Sequence, residues 1–105
     1  MNYRNLRVAN LIQEELGKII LREIEFPNST LVTIVEVEVL KDLSRAKIKL
    51  GVIPITAVPE VLEVLNNYRS FLQGLLLRKI NIKPMPRIEF ELDAGNQEEI
   101  LKIGK

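Results

Sequence analysis

Residues 31–52 read LVTIVEVEVLKDLSRAKIKLGV, and this stretch decides the fold. Its first part is β-branched, with Val35, Val37 and Val39 alternating with Glu36 and Glu38, the two-residue period of a strand with one apolar and one solvated face. Residues 41–45, KDLSR, form a short polar connection. Beyond them Ala46, Ile48, Leu50 and Val52 alternate with Lys47, Lys49 and Gly51, which predicts a second strand. So few intervening residues suit an antiparallel hairpin. One face of it is apolar; the other carries two lysines beside glutamates.

The flanking segments are helical. Over residues 4–23 the apolar residues Val8, Ile12, Leu16, Ile19 and Ile20 recur at helical spacing, with Glu14, Glu15, Lys18 and Arg22 on the remaining face, and Pro27 lies past its end. A second helix is expected from Pro59 to Lys79, with Pro59 at its first position and Val58 or Thr56 as cap. Its stripe is Val61, Leu65, Tyr68, Leu72, Leu75 and Leu76, which puts Tyr68 in the core with its hydroxyl at the edge. The bend such a long helix needs is expected between Ser70 and Gly74, where it costs least. Pro84 and Pro86 then lead into a third strand at 87–92, where Ile88, Phe90 and Leu92 alternate with Glu89 and Glu91. Residues 93–105 are expected to be a mobile C-terminal tail, in which Ile100, Leu101 and Ile103 are enough for a short docking turn but not for a helix. The order is α-β-β-α-β: an α+β domain spanning 1–105, with a three-stranded sheet packed on two main helices.

Composition narrows the chemistry. The chain has 105 residues and neither Cys nor His, which excludes disulfides, thiol nucleophiles, imidazole bases and His-ligated metals. A domain this small has little room for a deep cleft. Glu36 with Glu38, and Glu89 with Glu91, are strand neighbours on a solvated face rather than an acid/base pair. Ser29, Ser44 and Ser70 have no His to activate them, and neither a phosphate loop of the GxxxxGK[ST] kind nor a GxGxxG turn occurs. Catalysis, a cofactor and a metal are therefore not expected. No apolar run exceeds the three residues of Leu75, Leu76 and Leu77, so no membrane span is expected. Glu14 and Glu15 arrive before any continuous apolar stretch, against a secretory signal, and a cytoplasmic location is expected.

Charge is balanced in total, with 15 Lys and Arg against 14 Asp and Glu, but not along the chain. Residues 1–40 carry net −2, residues 41–88 carry +6 and residues 89–105 carry −3. Between Val64 and Ile88 there is no acid, while Arg69, Arg78, Lys79, Lys83 and Arg87 all fall there. Clustered cations suit a polyanion, because they displace counterions from phosphates. With five aromatics and none paired on a strand face, contact to phosphates and RNA shape is expected over base stacking.

The chain resembles ribosome-binding factor A, a bacterial small-subunit maturation factor. The residues that carry the match are Arg7-Val8-Ala9 with Ile12, Glu15 and Leu16, then the valine-rich strand and a V-x-x-D-L-x-x-A-K motif at Val39, Asp42, Leu43, Ala46 and Lys47. The pattern resumes at Leu65-Asn66, Phe71-Leu72, Leu75-Leu76, Arg78-Lys79 and Pro86-x-Ile88-x-Phe90, and so covers nearly the whole chain.

The resemblance implies a KH-like domain whose second helix is kinked at an Ala-x-Gly segment, where RNA-binding KH domains carry a Gly-rich loop. This chain has Tyr68-Arg69-Ser70 there, so the expected kink region is Tyr68, Arg69, Ser70 and Gly74, with the bend either displaced toward Gly74 or weakened, and it has Phe26-Pro27-Asn28 where the family has Asp-Pro-Arg. The implied role is non-enzymatic: binding the immature 30S subunit and its 16S rRNA to assist late maturation, 5′-end processing and growth in the cold. Assembly GTPases are implied as further partners, and the protein is expected to be a monomer. Expected phosphate contacts are Arg45, Lys47, Lys49, Arg69, Arg78, Lys79, Lys83 and Arg87, with Arg4 and Arg7 as additions from the first helix. The alternative is a protein-interaction module that recruits a partner by a sheet edge or the C-terminal segment without touching RNA.

Overall fold

The computed structural model describes residues 3–95. Helix α1 spans Tyr3–Glu23, β1 Leu31–Val39, β2 Arg45–Ile53, a 3-10 turn Ile55–Ala57, α2 Val58–Asn67, α3 Arg69–Lys79 and β3 Arg87–Leu92. The sheet order is β1-β2-β3, with β1 and β2 antiparallel and β2 and β3 parallel. The expected α+β architecture is present: the α2–α3 segment is the crossover that a parallel pair requires. The docking turn expected of Ile100, Leu101 and Ile103 lies outside the described residues.

The residues of the DLxxA motif shape the hairpin. Asp42 Oδ1 accepts hydrogen bonds from the Ser44 backbone N–H at 3.0 Å and the Ser44 hydroxyl at 2.6 Å, the Asx-turn geometry that aspartate favours. Leu43 takes a left-handed conformation, φ 62°, and still buries its side chain in the core. Ala46 is fully buried at the start of β2. The turn thus holds a residue in a strained conformation because the core needs its side chain there.

Strand β1 differs from its expected alternation. A bulge between Ile34 and Glu36 interrupts the register, so Val32, Ile34, Val37 and Val39 face Val52, Leu50, Ile48 and Ala46, while Val35 is left exposed. The cause is legible in the pairing: the apolar positions are even-numbered before the bulge and odd-numbered after it. One extra residue must be absorbed if both sets are to reach the same core.

The second helix also departs from expectation. It divides at Tyr68, φ −98° and ψ 7°, inside the expected kink region but ahead of the Ser70–Gly74 pair where a bend costs least. Hydrogen bonding continues across the break, from Tyr68 N–H to the Val64 carbonyl at 3.1 Å and from Leu72 N–H to the Tyr68 carbonyl at 2.9 Å. Helix α2 packs on β3, whereas α3 packs chiefly on α1, and the bend falls where the packing partner changes. Gly74 sits inside regular α3. Neither Val58 nor Thr56 caps α2: Thr56 lies in the 3-10 turn, the cap is Ala57, and Pro59 sits within the first turn.

Ile12, Leu16 and Ile19 of α1, Ile48, Leu50 and Val52 of β2, Val61 and Leu65 of α2, Leu72 and Leu76 of α3 and Ile88 of β3 form one buried core on the helical face of the sheet. Gln73 clamps α3 to β3: its amide nitrogen donates to the Pro86 carbonyl at 2.9 Å and its amide oxygen accepts from the Ile88 N–H at 2.8 Å.

Candidate nucleic-acid interface

The topology gathers one end of the molecule from four parts of the chain. There β1 ends, β2 and β3 begin, α1 begins and α3 ends. Asn5 on α1 donates to the Val39 and Leu40 carbonyls at 3.2 and 2.9 Å, which ties the helix N-terminus to the end of β1. The Arg87 N–H donates to the Ser44 carbonyl at 3.0 Å, joining the start of β3 to the hairpin turn. An Arg4 guanidinium nitrogen lies 3.5 Å from the Lys83 carbonyl oxygen, bringing the loop after α3 against α1.

A groove of about 440 Å³ opens at this end, lined by Tyr3, Arg4, Arg7, Leu11, Asn81 and Lys83. Three of the expected phosphate contacts, Arg4, Arg7 and Lys83, therefore line one groove. Arg78 and Lys79 are exposed in the last turn of α3, immediately before this loop, and Arg87 is exposed just after it. Among the described residues Arg7, Arg78, Lys79, Lys83 and Arg87 make no ion pair.

Helix electrostatics separates these cations into two kinds. Arg78 and Lys79 at the C-terminus of α3 complement its dipole and stabilise it. Arg4 sits in the first turn of α1, which holds no acid, at the positive end of that dipole. Its charge disfavours the helix by a few tenths of a kcal/mol. Positive side chains and a helix N-terminus pointing the same way both favour an anion at this end.

The outer sheet face is a different environment. Lys47 lies in register between Glu38 and Glu89, and Lys49 between Glu36 and Glu91. Lys49 Nζ is 3.2 Å from Glu38 and 3.8 Å from Glu36. The hydrogen bond to Glu38, together with the surrounding carboxylates, raises the Lys49 ammonium above its ordinary pKa. Arg45 reaches Glu89 at 3.8 Å. Arg45, Lys47 and Lys49 thus share this face with Glu36, Glu38, Glu89 and Glu91, so acids outnumber the cations of β2 on it, and Arg87, in register with Arg45, stands at its basic end. The lysines expected as phosphate contacts here stand in rows of opposite charge, the favourable cross-strand arrangement.

At the helix break, Arg69 is half-buried at the head of α3 while Ser70 and Gly74 are exposed. Tyr68 does not enter the core as its stripe position predicts; it is 50% exposed, because the stripe passes from Leu65 to Leu72 across the bend. Its ring meets Phe71 edge-to-face, 6.4 Å between centroids.

Two residues at the basic end were not singled out from the sequence. Lys41 is exposed in the hairpin turn, and Tyr3 lines the groove. Lys41 belongs to the basic 41–88 segment, and only the folded chain sets its neighbour Leu40 against α1, through the Asn5 hydrogen bond. Among the described residues, no group of acids could hold a metal ion, and no helix is long and apolar enough to cross a membrane.

Comparison with known proteins supplies the family. The ribosome-binding factor A family profile matches residues 4–103. A ribosome-binding factor A of Akkermansia muciniphila is 37% identical over 100 residues, covering 95% of this chain and 79% of its own length. One of Ralstonia pickettii is 36% identical over 98 residues, covering 92% and 78%. Among solved structures, that of a Thermotoga maritima protein assigned to ribosome-binding factor A matches with a TM-score of 0.72 at 26% identity, covering 90% of this chain and 93% of the other. Coordinates of the Thermus thermophilus factor fitted into a cryo-EM map of its 30S complex share the fold, with a TM-score of 0.68 at 22% identity over 79% of this chain and 88% of the other. By the family match and these identities, the chain belongs to the ribosome-binding factor A family.

Proposed function

We propose that this protein binds the small ribosomal subunit, docking the basic end formed by Arg4, Arg7, Arg78, Lys79, Lys83 and Arg87 onto phosphates of its 16S rRNA. The observation that carries the reading is the convergence of α1, the loop after α3 and the start of β3 into one positive end, while the lysines of β2 are balanced by carboxylates. The family supports the partner, since the Thermus thermophilus relative is described in a 30S complex. Arg45, Lys47 and Lys49 then serve the sheet's charge rows rather than RNA. On this reading the protein is a non-enzymatic assembly factor that assists late maturation, including 5′-end processing and growth in the cold.

Sedimentation of the protein with small subunits, large subunits and intact ribosomes across a salt series tests it. Co-migration with the small subunit alone, lost steeply as salt rises, is the expected result. Replacing Lys79, Lys83 and Arg87 by Ala should make the log-log salt slope shallower by about 0.7–0.9 per lost phosphate contact. An unchanged slope removes these residues from the interface.

The protein-interaction alternative has an observation of its own. Leu21, Leu31 and Ile53 are exposed at the opposite end, beside an apolar groove of about 500 Å³ between α1 and β1. Absence from every ribosomal fraction at low salt, with complexes that survive nuclease, would favour it.

A further inference from the structure

Two of the five aromatics, Phe26 and Phe90, pack against the core, and Tyr3 lines the basic groove. The remaining two, Tyr68 and Phe71, meet each other at the break between α2 and α3, 50% and 48% exposed. Their planes are inclined at 67°, so one ring meets the other by its edge. In such a pair one ring has neither face covered by its partner, and half exposure leaves aromatic surface open to a flat ligand.

The surroundings choose the ligand. Arg69 adjoins Tyr68 in the chain, and Arg78 lies two turns beyond Phe71 on α3, about 10 Å away along the axis. Neither arginine is ion-paired among the described residues. No acid occurs between Val64 and Ile88. Open aromatic surface at the head of an acid-free helix that leads to unpaired cations is complementary to a nucleobase whose phosphates continue along that helix. From Phe71 the exposed residues of α3 lead through Arg78 and Lys79 to the loop that carries Lys83.

We propose that the Tyr68–Phe71 pair is a stacking platform for an unpaired base of single-stranded RNA, whose backbone continues along α3 to the basic end. The proposal rests on the RNA-binding reading and adds a mode to it: the basic end grips phosphates of any RNA, whereas the aromatic pair requires a base out of its helix.

The test compares binding of a roughly 12-nucleotide oligouridylate with binding of an RNA duplex of similar charge. Tyr68→Ala should weaken binding of the single strand about tenfold or more and leave the duplex unchanged. The chain has no Trp, so Tyr68→Trp installs a single reporter whose fluorescence should be quenched by oligouridylate and not by duplex. This variant keeps the test decisive if the alanine variant melts early. Equal single-strand affinity for wild type and Tyr68→Ala, with Tyr68→Trp unquenched, overturns the platform while the basic-end reading stands. Wild-type protein that binds neither RNA nor small subunits overturns both. Tyr68→Ala that keeps its oligouridylate affinity but loses the small subunit assigns the pair to a protein neighbour and overturns the proposal.

Discussion

The ammonium of Lys49 lies 3.2 Å from the carboxylate of Glu38, a residue of the neighbouring strand two positions from Lys49's own register partner Glu36. One lysine on the central strand is thereby shared between two acids of the edge strand. Lys47→Ala with Lys49→Ala is expected to leave small-subunit affinity and its salt slope unchanged, whereas Lys79→Ala with Lys83→Ala lowers both; parallel sedimentation series decide it. Lys49 also carries a pH signature. Its raised pKa means its pairing is fully present below the unfolded lysine value, near 10.4, and lost as pH rises through the higher folded value. The alkaline limb of a stability curve should lose that slope in the Lys49→Met variant.

Asp42 gives the opposite sign. The hydrogen bonds from the Ser44 side chain and backbone hold its carboxyl below the ordinary aspartate value. Its contribution is present above about pH 3.9 and is lost as pH falls through the lower folded value. Asp42→Asn, which keeps an acceptor but does not titrate, should flatten the stability curve below about pH 4, as followed by thermal melts at successive pH values.

Among the described residues, Gln73 is the only side chain that bonds the Pro86 carbonyl and the Ile88 N–H. Gln73→Leu leaves both half-buried groups unpaired and should cost about 2 kcal/mol in denaturant unfolding. Gln73→Glu keeps the acceptor for Ile88 but sets a carboxylate oxygen against the Pro86 carbonyl oxygen, so it should not recover the loss at neutral pH.

Gly74→Ala should stabilise the protein. A Cβ there would meet no heavy atom within 4 Å, and the helix bend lies at Tyr68 instead. A gain approaching 1 kcal/mol, or several degrees in melting temperature, is expected. A destabilised variant would return the bend to Gly74.

Arg4→Ala with Arg7→Ala should separate binding from stability. The dipole penalty at the head of α1 is relieved while the hydrogen bonding of Arg4, its 3.5 Å bond to the Lys83 carbonyl included, is lost, so the melting temperature should move far less than small-subunit affinity does. Small-subunit affinity should fall nonetheless, with a slope shallower by about 1.4–1.8 if both residues contact phosphate.

The helices, the strands and their order could be read from the sequence because periodicity is a local property: Ile12, Leu16 and Ile19 mark a helix face, and Ala46, Ile48 and Leu50 a strand face, before either has a partner. The basic 41–88 segment was equally plain. The helix bend falls within the expected Tyr68 to Gly74 region, but at Tyr68 rather than at the low-propensity Gly74, because the packing partner changes there. Alternation alone puts Val35 on the apolar face because two valine registers overlap in β1, and the bulge that reconciles them follows from pairing with β2.

The same division holds for the site. Sequence by itself determined how many cations the chain carries between Val64 and Ile88 and that no acid lies among them. Only the tertiary structure decided which cations have acids beside them: strand pairing set Glu38 against Lys49, and the packing of α1 against the loop after α3 brought Arg4 to Lys83, 79 positions away. Charge is a property of composition, but the field at a surface depends on distances between charges, and those distances exist only once the chain has folded.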